Sequence, residues 1–216
     1  MMPDANLKQK RIVMLVCILV IIFSYQLNAA GLYVGGGGTY AIEGFNTDSD
    51  YLEYDNTFGA YGKFGLKLDD RIALEFNYDS LTDFVYSLDI LKSTIDLTTY
   101  MAALKLSFKI DSDSDFFSGA AADIFGNKIP YFIIGFGNMK MHKEINFTYD
   151  GNILTGWDLA IPAEDLSDSC GKAGFGVDYY IQENISVGAE ISYTAGFGDL
   201  KDIKYYNIIM GGLFHF

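Results

Sequence analysis

A chain of 216 residues with 23 glycines, 3 prolines and 16% aromatics is long enough for one domain with a sizeable core. Its 28 acidic residues against 15 basic ones give a net charge of −13, which argues against nucleic acid or a bare anionic surface as partner. Mean hydropathy is only +0.15 although half the residues are hydrophobic, so the apolar residues are spread through the chain instead of being gathered into spanning helices.

The one long apolar run lies at the start. Lys8, Lys10 and Arg11 precede Ile12 to Phe23, and polar breaks then lead to the small pair Ala29-Ala30. This order of basic, apolar and small residues is that of a secretory signal peptide, and the run is short for a membrane-spanning helix. The expected division is a cleaved signal peptide at 1–30 and a mature domain at 31–216. Cleavage there leaves twelve basic and 27 acidic residues, a charge of −15. Cys17 falls inside the apolar run, so one thiol remains, Cys170, expected to be buried, inert and free of any internal disulfide.

Strands follow in order. Gly31 to Ala41 carries four consecutive glycines, with neither the Lys-Ser/Thr nor the helix pattern that a phosphate cradle requires. Small residues in a narrow barrel strand are the expectation. An acidic loop with Asp48, Asp50, Glu53 and Asp55 comes next. In Thr57 to Leu68, Ala60, Gly62, Phe64, Leu66 and Leu68 share one face, with Tyr61, Lys63, Gly65 and Lys67 on the other. After a turn at Asp69-Asp70, Arg71 to Asp79 returns with Ile72, Leu74, Phe76 and Tyr78 outward and Arg71, Ala73, Glu75 and Asn77 inward. A soluble lipocalin-type barrel has the same period but is greasy inside. Lysines and a glutamate on the inner face predict an aqueous or salt-bridged lumen.

Residues 82–92 are expected as a loop or strand extension, and the fourth strand, 94–110, turns Lys105 inward. The connection 111–128 begins Asp111-Ser-Asp113-Ser-Asp115, but Phe116 and Ala122 stand where a calcium loop needs Gly and Glu, so no metal site is expected. The fifth strand, Pro130 to Met141, has apolar residues on both faces at its start and no readable register. His142 to Asp168, with Trp157, is expected to be the longest loop. Ser169 to Ile181 places Asp178 inward, Gln182-Glu183-Asn184 turns, and Ile185 to Tyr193 places Glu190 inward; Thr194 to Asp202 is expected as a loop. This hairpin echoes the earlier one, because both climb to Glu-x-x-Tyr (Glu75/Tyr78 and Glu190/Tyr193).

The last stretch, Lys204 to Phe216, is the clearest strand. Tyr206, Ile208, Met210, Gly212, Phe214 and Phe216 form an almost wholly greasy face. About ten such residues, tilted, cross a bilayer as a barrel strand. The tally is eight strands with alternating long and tight connections. The predicted fold is all-β: a transmembrane antiparallel up-and-down β-barrel with its ends in the periplasm.

The signal-peptide pattern, PYFIIGFG at Pro130 to Gly137, GKAGFGVDYY followed by NISVGAEISY across Gly171 to Tyr193, and the terminal GGLFHF resemble the small eight-stranded outer-membrane proteins of the OmpA/OmpX and opacity-protein type. The resemblance implies the outer membrane of a Gram-negative cell and contact with membrane lipid and lipopolysaccharide; with the sequence stopping at Phe216, no peptidoglycan-binding domain is expected after the barrel. It also implies that Tyr206, Ile208, Met210, Phe214 and Phe216 serve as a C-terminal signal read by the barrel-assembly machinery.

For function, the residues point first to a non-enzymatic surface protein. Lys63, Lys67, Glu75, Lys105, Asp178 and Glu190 would pair inside a closed lumen, leaving acidic loops to meet host or extracellular ligands. The alternative is a narrow porin-like channel or hydrophobic-solute conduit, for which Ile209 and Leu213 on the inner face are mild support. A lipid-modifying enzyme comes third. His142 and His215 are the only histidines, and no strand spaces either with Ser169 or Ser192 as a catalytic pair. No cofactor is expected.

Overall fold

Alternation at period two, with one face greasy and the other small or polar, calls for a sheet that curls shut and turns its greasy side out. The computed structural model shows that arrangement in the residues it describes, which are 31–45, 54–88, 91–108, 128–149, 152–153 and 164–216. Its strands are β1 (Leu32–Glu43), β2 (Thr57–Lys67), β3 (Ile72–Leu88), β4 (Leu91–Ser107), β5 (Lys128–Tyr149), the two-residue β6 (Asn152–Ile153), β7 (Glu164–Gln182), β8 (Ile185–Gly196) and β9 (Lys204–His215). Every long strand pairs antiparallel with its sequence neighbour. β1 pairs with β9 and β4 with β5, so eight strands close into a barrel. The signal-peptide stretch, the 46–53 acidic loop, the 111–127 connection and Trp157 lie outside the described residues.

The outer surface follows the parity read from the sequence. Phe64, Phe76, Ile134, Phe136, Phe175, Ile191 and Met210 are all at least half exposed, as a lipid-facing band should be. Aromatic pairs rim the band: Tyr78 stacks beside Tyr100 and Tyr193 beside Tyr206, in each case directly opposite in register. Phe214 and Phe216 mark the other edge. The start of β1 and the end of β9 meet there, with the Phe216 N–H donating to the Leu32 carbonyl, beside the tight turns at 68–71 and 183–184. Short turns belong to the periplasmic side of such barrels.

The strands are longer than expected on one side. β1, β2, β8 and β9 have 11 or 12 residues, whereas β3, β4, β5 and β7 have 17, 17, 22 and 19. About 10 suffice to cross a bilayer, so these four stand above the membrane as a taller wall. The 82–92 segment is therefore strand on both sides of residues 89–90. Much of the expected 142–168 loop is the top of β5 and the start of β7, and Thr194 to Gly196 continue β8 before a 3-10 turn at Gly198–Leu200. A bulge between Leu81 and Phe84 bends the wall, with Asp83 at φ +64° and its N–H donating to Asp96. Sequence periodicity weakens in this wall because its outer face meets water instead of lipid, while Phe84, Tyr86, Ser93 and Ile95 stay buried on its inner face.

Two interior rows share one design. Tyr33, Gly65, Glu75 and Ala103 stand directly opposite one another across β1 to β4, and Tyr131, Gly176, Glu190 and Ile209 do the same across β5, β7, β8 and β9. In each row the tyrosine ring lies over the glycine, where a Cβ would overlap it. Each tyrosine hydroxyl then reaches the glutamate one strand further on, at 2.6 Å for Glu75 and 3.1 Å for Glu190. Glycine is required because the ring occupies the space of a side chain. Gly65→Ala and Gly176→Ala should each destabilise the barrel by roughly 1–3 kcal/mol through overpacking. Gly38→Ala, where a Cβ meets nothing within 4 Å, should leave the unfolding midpoint nearly unchanged; denaturant titration in detergent measures all three.

Candidate functional site

The inward side chains fill the barrel in two layers. Towards the periplasmic end a chain of charges crosses the lumen: Asp178 to Lys105 (2.6 Å), Lys105 to Glu75 (3.6 Å), Glu75 to Lys63 (3.5 Å), Lys63 to Glu190 (3.5 Å) and Glu190 to Lys172 (2.8 Å). Three carboxylates and three amines alternate, so the chain is neutral, and none of the six residues is more than 7% exposed. Alternation is what makes this burial tolerable, since a charge left alone in such a space costs several kcal/mol. Aromatic faces supply the remainder: Lys105 Nζ sits 3.9 Å from the Tyr131 ring centroid, and Lys63 Nζ 5.5 Å from that of Tyr61.

Of the six lumen residues expected from sequence, Lys63, Glu75, Lys105, Asp178 and Glu190 are brought together. Lys67 is not. It lies nearer the periplasmic mouth and donates to the Tyr180 hydroxyl at 2.8 Å, with no carboxylate in ion-pair range among the described residues. Lys172 holds the place expected for it. Its parity with Gly174, Gly176 and Asp178 carries that signal, but its neighbours Cys170, Gly171 and Ala173 lack the alternation of size that marks a face. Arg71, expected inward, is exposed in the turn before β3.

The outer half of the lumen is largely apolar, which the sequence did not foretell, with the buried Asp79 carboxylate set into it and accepting from Thr99 Oγ1 at 3.2 Å. Leu81, Phe84, Ile95, Leu97, Met101, Met139, Met141, Cys170, Leu200 and Tyr205 form a buried cluster there. Leu200 reaches it from the 3-10 turn, and Cys170 is free and fully buried. The charged layer is thus capped on the outer side by a packed core.

The family model for the outer membrane protein beta-barrel domain matches residues 15–216. The chain belongs to that family. It is an outer-membrane β-barrel, as the residues quoted from its strands imply. No curated protein matches it. Among solved structures it is similar to Neisserial surface protein A, at TM-score 0.60 and 12% identity over 86% of this chain and 97% of that one. It is similar also to Ail, the attachment invasion locus protein of Yersinia pestis, at TM-score 0.55 and 13% identity over 87% of this chain and 99% of that one. Identities this low bear on the fold alone.

As the fold requires of an outer-membrane strand, Tyr206, Met210, Phe214 and Phe216 are exposed on the lipid face of β9, and Ile208 is half-buried on the same face. The two histidines lie at opposite ends. His215, near the periplasmic mouth, has its Nε2 at 2.9 Å from Ser186 Oγ, a pairing the sequence did not suggest. Its Nδ1 has no hydrogen-bond partner among the described residues, so no acid orients the ring as a hydrolytic triad needs. Ser192 is buried away from both histidines, and Ser169 bonds to Asp168.

His142 stands on the outer wall, above the Tyr78–Tyr100 pair. Its Nδ1 is 2.6 Å from Asp165 of β7 and its Nε2 is 3.2 Å from Glu144 of β5. Hydrogen bonds to Asp165, then to Glu144, hold its pKa above the ordinary histidine value. A raised folded pKa stabilises the wall fully below the unfolded value of about 6.5 and loses that effect as pH rises through the folded one. Amide exchange at the top of β5 and β7 should therefore quicken as pH rises through the folded pKa, beyond the intrinsic base-catalysed increase, and His142→Phe should remove that excess. In the lumen, Glu190→Ala takes the ion-pair partner from Lys172, leaves Lys63 with Glu75 alone, and should lower stability by about 3–5 kcal/mol. Tyr131→Phe, losing one hydrogen bond to a carboxylate, should lower it by about 1.5–3 kcal/mol in the same denaturant titration.

Proposed function

We propose that this chain is a non-enzymatic surface protein of the outer membrane, a closed barrel that works through its outer rim in envelope integrity, adhesion or surface interaction. The observation that carries this reading is the lumen, filled first by the neutral ion-pair chain and then by the apolar cluster around Phe84 and Met139. Eight strands enclose an interior that side chains just fill. Ile209 and Leu213, the residues that favoured a solute conduit, are themselves buried in that packing, so they fill the space a solute would need.

The rim is built for contact with water and polar partners. Asp83, Glu144, Asp165 and Asp199 stand exposed on the outer wall and its flank, and the sequence adds Asp48, Asp50, Glu53 and Asp55 in the loop after β1. Ail has been solved with the heparin analogue sucrose octasulfate. In this chain a net charge of −13 opposes a polyanion of that kind and favours cationic partners, or divalent ions that bridge acidic groups to anionic glycolipid. The lipid-facing band contacts membrane lipid and lipopolysaccharide, and the face of Tyr206, Ile208, Met210, Phe214 and Phe216 on β9 is the surface offered to the barrel-assembly machinery.

Single-channel recording in planar bilayers tests the closed lumen. The parent protein should be silent, and Glu75→Ala, which removes the carboxylate that Lys63 and Lys105 share at the middle of the chain, should pass brief ionic currents. Steady large openings in the parent would replace this reading with transport.

A further inference from the structure

On the lipid face of β4, β5, β7 and β8 the greasy girdle is recessed. Elsewhere it carries Phe64, Phe76, Phe175 and Met210; here it has Ala102, Gly171, Ala173 and Ala195. A groove of about 690 Å³ runs between these small residues and the side chains of Leu104, Ile134 and Phe136. Above the groove the same strands turn polar. Tyr100, Asn138 and Ser169 stand opposite one another in the next row, then Thr98, Lys140 and Ser167, then Asp96, His142 and Asp165. The last two rows line a second cavity, of about 430 Å³. Charge in it is ordered by height. Lys140 stands lower, 5.8 Å from the Tyr100 ring centroid, with no carboxylate in ion-pair range among the described residues. Above it, Asp96 and Asp165 are joined by Glu144 and by Asp83, whose N–H donates to Asp96. Against these four carboxylates the same face sets the His142 ring, held between Asp165 and Glu144, and Lys92, one row beyond Glu144. The upper part of the cavity is therefore acidic whichever charge His142 carries.

We propose that this face holds one molecule of phosphatidylethanolamine, with an acyl chain in the groove, the phosphate on Lys140 and the ammonium among Asp96, Asp165 and Glu144. The order of charges selects the headgroup. Phosphatidylethanolamine carries its phosphate next to the glycerol and its ammonium beyond, the order in which amine and carboxylates follow one another up the wall. Phosphatidylglycerol or lipid A would satisfy Lys140 but bring no cation to the carboxylates, and any further anion would be repelled by them. A choline headgroup has the right order of charges but no N–H to donate, so it forgoes the charge-assisted hydrogen bonds. The barrel thereby takes a zwitterionic phospholipid out of a leaflet whose glycolipid is anionic. The site needs the tall wall to stand outside the bilayer and does not need the lumen to be closed, so it stands or falls separately from the conductance measurement.

Native mass spectrometry of the refolded protein tests the site, with folding followed by heat-modifiable gel mobility. The protein is incubated with an equimolar mixture of phosphatidylethanolamine, phosphatidylglycerol and phosphatidylcholine of identical acyl chains, and separately with phosphatidylethanolamine and lipid A. One phosphatidylethanolamine should stay bound per chain, about tenfold more often than any competitor, the worth of one hydrogen bond to a charged group. Lys140→Met should lower its retention by about tenfold. Replacing Asp96→Asn and Asp165→Asn together should bring phosphatidylethanolamine down to the level of phosphatidylglycerol. Ala173→Phe, which fills the groove, should lower every lipid, whereas Ala60→Phe on the lipid face of β2, across the barrel, should change none. All of these side chains point outward, so the lumen packing is untouched in each variant. Phosphatidylglycerol or lipid A held as well as phosphatidylethanolamine, full retention by Lys140→Met, a preference that survives the double replacement, or a dimer mass without lipid would overturn the proposal.

Discussion

An eight-stranded barrel has no room for bulk water around its inward side chains, and everything in this lumen answers to that limit. Amines and carboxylates that enter it must neutralise one another. They do so in strict alternation from Asp178 to Lys172, with tyrosine hydroxyls and ring faces taking up the directions the ion pairs leave open. Glycine has the complementary role. By giving up its own side chain at Gly65 and Gly176, the backbone makes space for Tyr33 and Tyr131 to lie flat and reach the glutamates. The glycine-rich composition is thus a packing device for the interior rather than a sign of mobile chain.

The two interior layers divide the molecule functionally. A largely apolar cluster packs the outer side and a chain of alternating charges packs the inner side, and side chains of both layers occupy the path through the barrel. What remains accessible is a pair of rims. The outer one is tall on one side, acidic and clipped by His142. The inner one is the periplasmic mouth, where Lys67 donates to Tyr180 and His215 pairs with Ser186.

Most of the membrane-embedded fold was legible in the sequence, because lipid on one face and a tight lumen on the other enforce period two along most strands. Lys63, Glu75, Lys105, Asp178 and Glu190 could be placed inward for that reason, as could the greasy face of β9. Legibility fades where one of those pressures is lifted. Above the bilayer, β5 and β7 run on through sequence that reads as loop, since water replaces lipid on their outer faces. In β5 both faces are apolar from Tyr131 to Ile134, because the lumen at that level accepts Ile133 as readily as lipid accepts Ile134. Lys67 fails for a subtler reason. Parity gives the direction of a side chain but not its depth along the barrel axis, and two residues of depth separate a buried ion pair from a mouth.

The repeated Tyr-Gly-Glu row has one more consequence, for how the barrel closes. Within the charge chain, the half built from β1 to β4 contributes Lys63, Glu75 and Lys105, and the half built from β5 to β9 contributes Lys172, Asp178 and Glu190. The first trio sums to +1 and the second to −1. Each half leaves charges whose partners stand on the other, as Lys63 has Glu190 and Lys105 has Asp178 across the divide. Expulsion of water from the lumen is coupled in this way to the last strand pairing, which makes closure a single cooperative event and leaves a half-formed barrel no stable resting point.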